Sequence, residues 1–225
     1  MKKRSKRYKS AVTNQNSTDS YSTTEAVEIL NKFESVKFDE SVEISISLGV
    51  DPKQSSQAVR GTVNLPHGSG KEVKVLVFTE TPEDAVAAGA DYAGLEDLVK
   101  KVKDGWVGFD VALSTSGAMK EVRSVARVLG PRGLMPTPKA GTVTDNIAAA
   151  IKEVKAGRVE FKMDKTGAMS VLVGKRSFQP EQLVENTKAA LDAVSSARPD
   201  GFKGKFIKRV HISSTMSPSV LLSVE

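Results

Sequence analysis

Residues 66–78 read PHGSGKEVKVLVF, and the change of style inside this stretch decides the fold. Pro66-His67-Gly68-Ser69-Gly70 is turn chemistry, a proline and two glycines in quick succession. Val73–Phe78 (VKVLVF) is then an almost continuous apolar run, the pattern of a strand covered on both faces. Upstream the pattern is of another kind. Ser41–Leu48 alternates, with Val42, Ile44, Ile46 and Leu48 on one face and Ser41, Glu43, Ser45 and Ser47 on the other. That spacing marks a half-buried strand, and Gln57–Leu65 reads as a second one, weakened by Gly61. Ser22-Thr23-Thr24-Glu25 is a capping box opening a helix that carries Val27, Leu30 and Phe33.

Downstream of Phe78 short strands and helices alternate. A helix begins near Pro82, Asp91-Tyr92 reads as a short strand, and Leu95–Lys103 is helical. Asp110–Ser114 is another strand, Ala118–Leu129 one helix, and Thr144 caps a helix that Gly157 stops. Such alternation implies parallel pairing in an α/β layered domain. Beyond Gly157 the antiparallel style returns. Arg158–Met163 and Ala168–Val173 read as a hairpin around the turn Asp164-Lys165-Thr166-Gly167. Pro180–Ala197 is a long amphipathic helix with Leu183, Thr187, Ala190, Leu191 and Val194 inward, and Phe206–Ile212 and Val220–Val224 are strands.

Neither flanking segment holds enough elements for its own core, whereas together they make an ordinary domain. The fold class is therefore α/β with two domains. Residues 21–67 and 158–225 form a split α+β domain, and residues 68–157 form an inserted, three-layer, Rossmann-like α/β domain. Residues 1–20 are a basic N-terminal arm. Lys2, Lys3, Arg4, Lys6, Arg7 and Lys9 account for all six charges of the net +6, so the rest of the chain is neutral. A neutral body with a basic arm suits recognition of a particular shape better than indiscriminate binding of polyanions.

Composition excludes several functions. The chain has no cysteine and only His67 and His211, which leaves no thiolate or imidazole set for a metal and points to no cofactor. No apolar run reaches the roughly 20 residues of a transmembrane helix. Polar Thr13–Thr24 follows the basic arm where a signal peptide has its apolar stretch, so the expected location is cytoplasmic. Gly68-Ser69-Gly70-Lys71 lacks the earlier glycine and the Ser/Thr of a phosphate loop and precedes a strand, so it reads as a turn. Ser114-Thr115-Ser116-Gly117 offers a possible anion site at a helix start. No triad, acid/base pair or metal set appears, and the chain reads as a non-enzyme.

Three clusters fall in the split domain: Lys37-Phe38-Asp39-Glu40, the turn around Lys162, Lys165, Thr166 and Gly167, and Ser213-Ser214-Thr215-Met216-Ser217-Pro218. Flat apolar side chains for bases and sugars, hydroxyls for the 2′-OH and lysines for phosphates are the parts RNA recognition uses. The plainer readings are a core Phe38, an ordinary turn and a strand bend. A fourth stretch, RVLGPRGLMPTPKAGTV at 127–143, sets Arg127, Arg132 and Lys139 on a segment stiffened by three prolines. It is either a stiff loop between helices or a contact for nucleic acid or phosphate.

These words, with KFDESVEISISLGVDP, RGTVNLPHGSGK, GADYAG, FKMDKTGA and ISSTMSPS in order, resemble the bacterial large-subunit ribosomal protein L-one family over nearly the whole chain. The resemblance implies a two-domain protein that binds large-subunit ribosomal RNA at a mobile stalk and assists release of tRNA from the exit site. It also implies repression of its own operon messenger, and a monomer when off the ribosome. It implies RNA contacts by Lys37, Phe38, Glu40, Ser41, Lys165, Thr166, Gly167, Thr215 and Met216. Arg127, Arg132 and Lys139 become secondary candidates, and Ser217 stands where the family usually has glycine. A phosphate-handling enzyme built on the inserted domain, and a protein-docking module using the 127–143 loop, are the alternatives.

Overall fold

The structure is a computed structural model and describes residues 4–13, 19–54, 57–199 and 202–223. Along the chain run α1 (Lys6–Thr13), α2 (Thr23–Lys32), β1 (Ser41–Leu48), β2 (Arg60–Asn64), β3 (Val75–Phe78), α3 (Pro82–Ala87), β4 (Tyr92–Gly94), α4 (Glu96–Lys103) and β5 (Val111–Ser114). Then come α5 (Met119–Val122), a 3-10 turn, α6 (Ala126–Leu129), α7 (Ile147–Ala156), β6 (Arg158–Lys162), β7 (Ala168–Lys175), α8 (Pro180–Ser196), β8 (Ile207–Ser214) and β9 (Val220–Leu222). The described residues divide into two compact units, one up to Gly70 and from Val159 onward, the other Lys71–Arg158.

The first unit is built on a four-stranded sheet, β7-β1-β8-β9, in which every pairing is antiparallel. The alternation of β1 sets its faces. Val42, Ile44, Ile46 and Leu48 are buried, in one core with Val27 and Leu30 of α2 and Leu183, Ala190 and Val194 of α8. Glu43, Ser45 and Ser47 stay exposed on the other face. The capping box at Ser22 forms, with its hydroxyl accepting from the Glu25 amide and the Glu25 carboxylate accepting from the Ser22 amide.

β6 pairs with β2 in a separate two-stranded sheet, whereas β7 joins β1. The expected hairpin is thus a turn between sheets. The ladder of β6 continues toward β2, with the Met163 amide donating to Val59 at 2.9 Å. The Asp164 carboxylate takes up the Thr166 and Ala168 amides that would otherwise seek partners. The basic arm also differs from expectation, because part of it is helix α1 with Ala11 in the core and the Arg4 guanidinium 4.3 Å from the Tyr8 ring centre. Lys2 and Lys3, and Val224 of the expected last strand, lie outside the described residues.

The second unit carries a parallel sheet, β4-β3-β5. Successive residues of β3 enter opposite cores, which is why VLVF is apolar throughout. Val75 and Val77 pack with Ala85 of α3 and Ile151 and Val154 of α7, while Leu76 and Phe78 pack with Leu98, Val102, Val122 and Leu129. The result is helix, sheet and helix in three layers. Two local expectations are corrected. The single helix over 118–129 is broken at Arg123–Val125 by a 3-10 turn, whose three-residue period keeps Val122 and Val125 on the same buried face. The cap of α7 is Asn146, whose side chain accepts from the Ala149 amide, and Thr144 instead accepts from the Asn146 amide.

The boundary between units falls after Gly70, three residues beyond the expected break. Gly68-Ser69-Gly70 stays with the first unit because Asn186 of α8 holds it. This fully buried amide donates to Gly68 O at 3.0 Å and Val173 O at 2.7 Å, and accepts from the His67 amide at 3.1 Å.

Candidate nucleic-acid interface

The end of β1 at Ser41 gathers two of the three clusters. Ser41 pairs with Lys175 of β7, and Val42 pairs with Ser214 of β8. The Thr215 amide donates to Ser41 O at 3.0 Å, and the Ser41 amide donates to Thr215 Oγ1 at 3.1 Å. Lys175 Nζ donates to Ser41 Oγ at 2.9 Å. Around this joint lie the exposed Lys37, Phe38 (53% exposed) and Met216 (48% exposed). Phe38 is therefore no core residue. Two of the four large exposed apolar side chains among the described residues sit on these adjoining segments, where the fold gains little from them.

Beneath them Glu40 is 2% exposed and fully engaged. Its Oε2 accepts from Ser214 Oγ at 2.6 Å and the Met216 amide at 3.0 Å, and its Oε1 accepts from Arg176 Nη1 at 2.9 Å. Burial acts to raise the Glu40 carboxyl, but the Ser214, Met216 and Arg176 donors together outweigh it and hold the group below the usual carboxylate range. Adjacent Asp39 points outward to Ser177, at 3.1 Å from its amide and 2.8 Å from its hydroxyl. Ser217 has no positive φ, and its hydroxyl accepts from the Ser214 amide at 2.9 Å, so serine closes this turn without the conformational freedom of glycine.

The third cluster lies elsewhere. Ser47 pairs with Ala168, and the Leu48 amide donates to Gly167 O at 2.9 Å, so Lys165, Thr166 and Gly167 sit at the far end of β1. Six strand steps separate the ends, roughly 20 Å. Lys165 and Thr166 are exposed, while Gly167 is buried with a φ of 80°. The Asp164 carboxylate is stabilised by the Thr166 hydroxyl and the Ala168 and Thr166 amides, which hold it below its usual range. Between the ends runs the open face of the sheet, with exposed Glu43, Ser45, Ser47, Ser170 and Arg209 and half-buried His211 and Ser213.

In the second unit the 127–143 stretch is an anchored loop. Thr142 O and the Thr144 amide bond to Ser114 of β5, the Thr137 amide donates to Thr142 Oγ1 at 2.8 Å, and Arg158 Nη2 donates to Ala140 O at 3.0 Å. Leu134 and Met135 pack on the core. Arg127 and Arg132 are exposed, and Lys139 lies in a 3-10 turn with its side chain outside the described part. The possible anion site at Ser114–Gly117 is already filled, since the Ser116 amide donates to Asp145 Oδ1 at 3.1 Å. A carboxylate of the chain thus stands where a phosphate would bind. Among the described residues there is no group of side chains able to hold a metal, and no helix is long and apolar enough to cross a membrane.

Residues 30–218 match the ribosomal protein L1p/L10e family. The chain belongs to that family. Its similarity to curated L1 relatives extends almost end to end. It is 50% identical over 224 residues to the large ribosomal subunit protein uL1 of Kosmotoga olearia, covering 99% of this chain and 97% of that one. It is 51% identical over 230 residues to the uL1 protein of Persephonella marina, covering 100% and 95%. The uL1 protein of Chlorobium phaeobacteroides is 49% identical over 222 residues, covering 98% and 97%. The mixed α/β fold expected from the sequence pattern is the fold observed, and it agrees with this family.

Arg176 and Asn186 are the organising residues that sequence reasoning missed. Asn186 had a readable signal, since its spacing from Leu183 and Ala190 puts it on the buried side of α8. Arg176 had none, because its partners lie about 140 positions away.

Proposed function

We propose that this chain is a structural constituent of the large ribosomal subunit, that it binds large-subunit ribosomal RNA, and that it is no enzyme. The observation that carries the reading is the pairing of exposed Phe38 and Met216 with the Thr215 hydroxyl and Lys37 over a buried polar frame. Apolar surface of this kind suits riboses and unstacked bases, the hydroxyl suits a 2′-OH, and the lysine suits a phosphate. Lys165, Thr166 and the open hydroxyl-rich sheet face extend the same surface along β1. Glu40 and Gly167, both buried, support this surface from beneath rather than touch RNA, unlike what the resemblance implies.

On this reading the chain works in the cytoplasm, free as a monomer and otherwise on the ribosome, where it assists departure of tRNA from the exit site. Arg127, Arg132 and Lys139 supply secondary backbone contacts. The same surface binds a matching fold in the messenger of its own operon and represses translation. Filter binding of the full chain to transcribed large-subunit ribosomal RNA tests the main claim. Tight binding that weakens steeply with salt and resists competitor tRNA supports it. Equal affinity for any structured RNA overturns it.

A further inference from the structure

We propose that Arg176 is a positioning residue for RNA binding, which acts through Glu40 to lock the Phe38 and Met216 segments together before RNA arrives. The inference rests on the RNA-binding reading above and concerns residues that this reading does not use as contacts. Arg176 follows β7 and reaches the segment between α2 and β1 with three groups. Its Nη1 donates to Glu40 Oε1 at 2.9 Å, its Nη2 donates to Phe33 O, and its amide donates to Glu40 O at 2.8 Å. Its side chain is 13% exposed and that of Glu40 is 2% exposed.

Glu40 hands the constraint on. One of its oxygens faces Arg176, and the other binds the Ser214 hydroxyl and the Met216 amide. The four points Phe33, Glu40, Ser214 and Met216 thereby form one chain of charge-assisted hydrogen bonds, with Phe38 and Thr215 carried on the segments between them. Both carboxylate oxygens of Glu40 are bonded within the protein and the residue is 2% exposed, so it supports the surface from beneath and does not face RNA. A surface fixed in advance loses less freedom on binding, and this lowers Kd without any new contact. The planar guanidinium is required, because two separate nitrogens reach two different acceptors and a single ammonium cannot reproduce that fork.

Salt dependence separates positioning from contact. Removing a phosphate contact lowers the slope of log Kd against log salt by about 0.7–0.9, whereas loosening a preformed surface leaves the slope alone. The full chain carrying Arg176→Gln, Arg176→Lys or Glu40→Gln is titrated with transcribed large-subunit ribosomal RNA at several salt concentrations, with circular dichroism establishing that each variant is folded. Lys165→Gln and Thr215→Ala serve as contact controls, and amide exchange is read at Met216. The expected result is a loss of about tenfold or more for both Arg176 variants with an unchanged slope, and faster exchange at Met216 but not in β1. A lowered slope in Arg176→Gln, or binding retained by Arg176→Lys, overturns the proposal, and so does affinity within twofold of the parent chain. Glu40→Gln, which keeps the side-chain shape, decides the matter by the same criteria if the Arg176 variants do not fold. If Thr215→Ala and Lys165→Gln are also without effect, the RNA-binding surface itself is misplaced. Effects of the controls without effects of Arg176 and Glu40 refute positioning alone.

Discussion

Replacing Asn186 by alanine removes three hydrogen bonds at once, and the structure gives each a different weight. The bond to Val173 O, at 2.7 Å, is fully buried, so its loss strands a carbonyl that water cannot reach. Leaving such a group unsatisfied costs about 1–3 kcal/mol. The bonds to Gly68 O and from the His67 amide are only partly buried, and water can replace them in part. Together these two add about 1 kcal/mol, at the low end of the usual net value per bond. The expected loss is therefore roughly 2–4 kcal/mol, read from the urea midpoint at unchanged slope. Hydrogen exchange at the His67 amide should accelerate as well. Asn186→Asp should cost more than alanine, because a carboxylate would face two carbonyl oxygens at the same distances. A loss below about 1 kcal/mol for alanine, or an aspartate variant as stable as the parent, would refute the claim that this amide fastens residues 66–70 to the first unit.

Three further outcomes follow from the same geometry. Phe38→Ala should weaken binding to large-subunit ribosomal RNA by about 5- to 150-fold, corresponding to about 1–3 kcal/mol of stacking. Its urea midpoint should barely move, since the ring is half exposed. His211 is held below the ordinary histidine range, first by burial and then by Arg209. Below about pH 6.5 an unfolded chain takes up a proton there that the native state refuses, so stability should fall as pH drops from 7.5 to 5.5. His211→Gln should flatten that part of the urea-midpoint profile, and an unchanged profile would refute the assignment. Gly141 has a φ of 62°, and a β-carbon there would collide with the Arg158 guanidinium that anchors the loop. Gly141→Ala should lower the thermal midpoint of the full chain, at a cost of about 1–2 kcal/mol for the left-handed backbone alone.

The mixed α/β class was legible because it depends on local periodicity. The alternation of Ser41–Leu48 and the unbroken apolar Val75–Phe78 each dictate how many faces of a strand are covered. What failed were matters of pairing between distant segments. Nothing near Asp164–Gly167 says that β6 and β7 join different sheets, nor that the antiparallel registers of β7 and β8 on β1 put Lys165 at the opposite end of β1 from Thr215. Asp39 and Glu40 are adjacent acids that the sequence does not tell apart. In the fold one carboxylate turns out to Ser177 and the other turns in to Arg176, a distinction set by residues about 140 positions away. The 127–143 loop shows the reverse case. Its stiffness was readable from its prolines, while its backbone anchoring to β5 required the fold.

On the proposed reading, RNA is held at the Ser41 end of β1 by Phe38, Thr215 and Met216, with the 127–143 loop secondary. Hydroxyl-radical footprinting on large-subunit ribosomal RNA tests it with three full-length proteins: the parent, a Phe38→Ala/Thr215→Ala/Met216→Ala variant and an Arg127→Gln/Arg132→Gln/Lys139→Gln variant. One compact protected region should appear with the parent, persist with the loop variant and vanish with the Phe38/Thr215/Met216 variant. Protection that survives the loss of Phe38, Thr215 and Met216 but vanishes with the loop variant would instead place the RNA on the 127–143 loop and refute a site at the Ser41 end of β1.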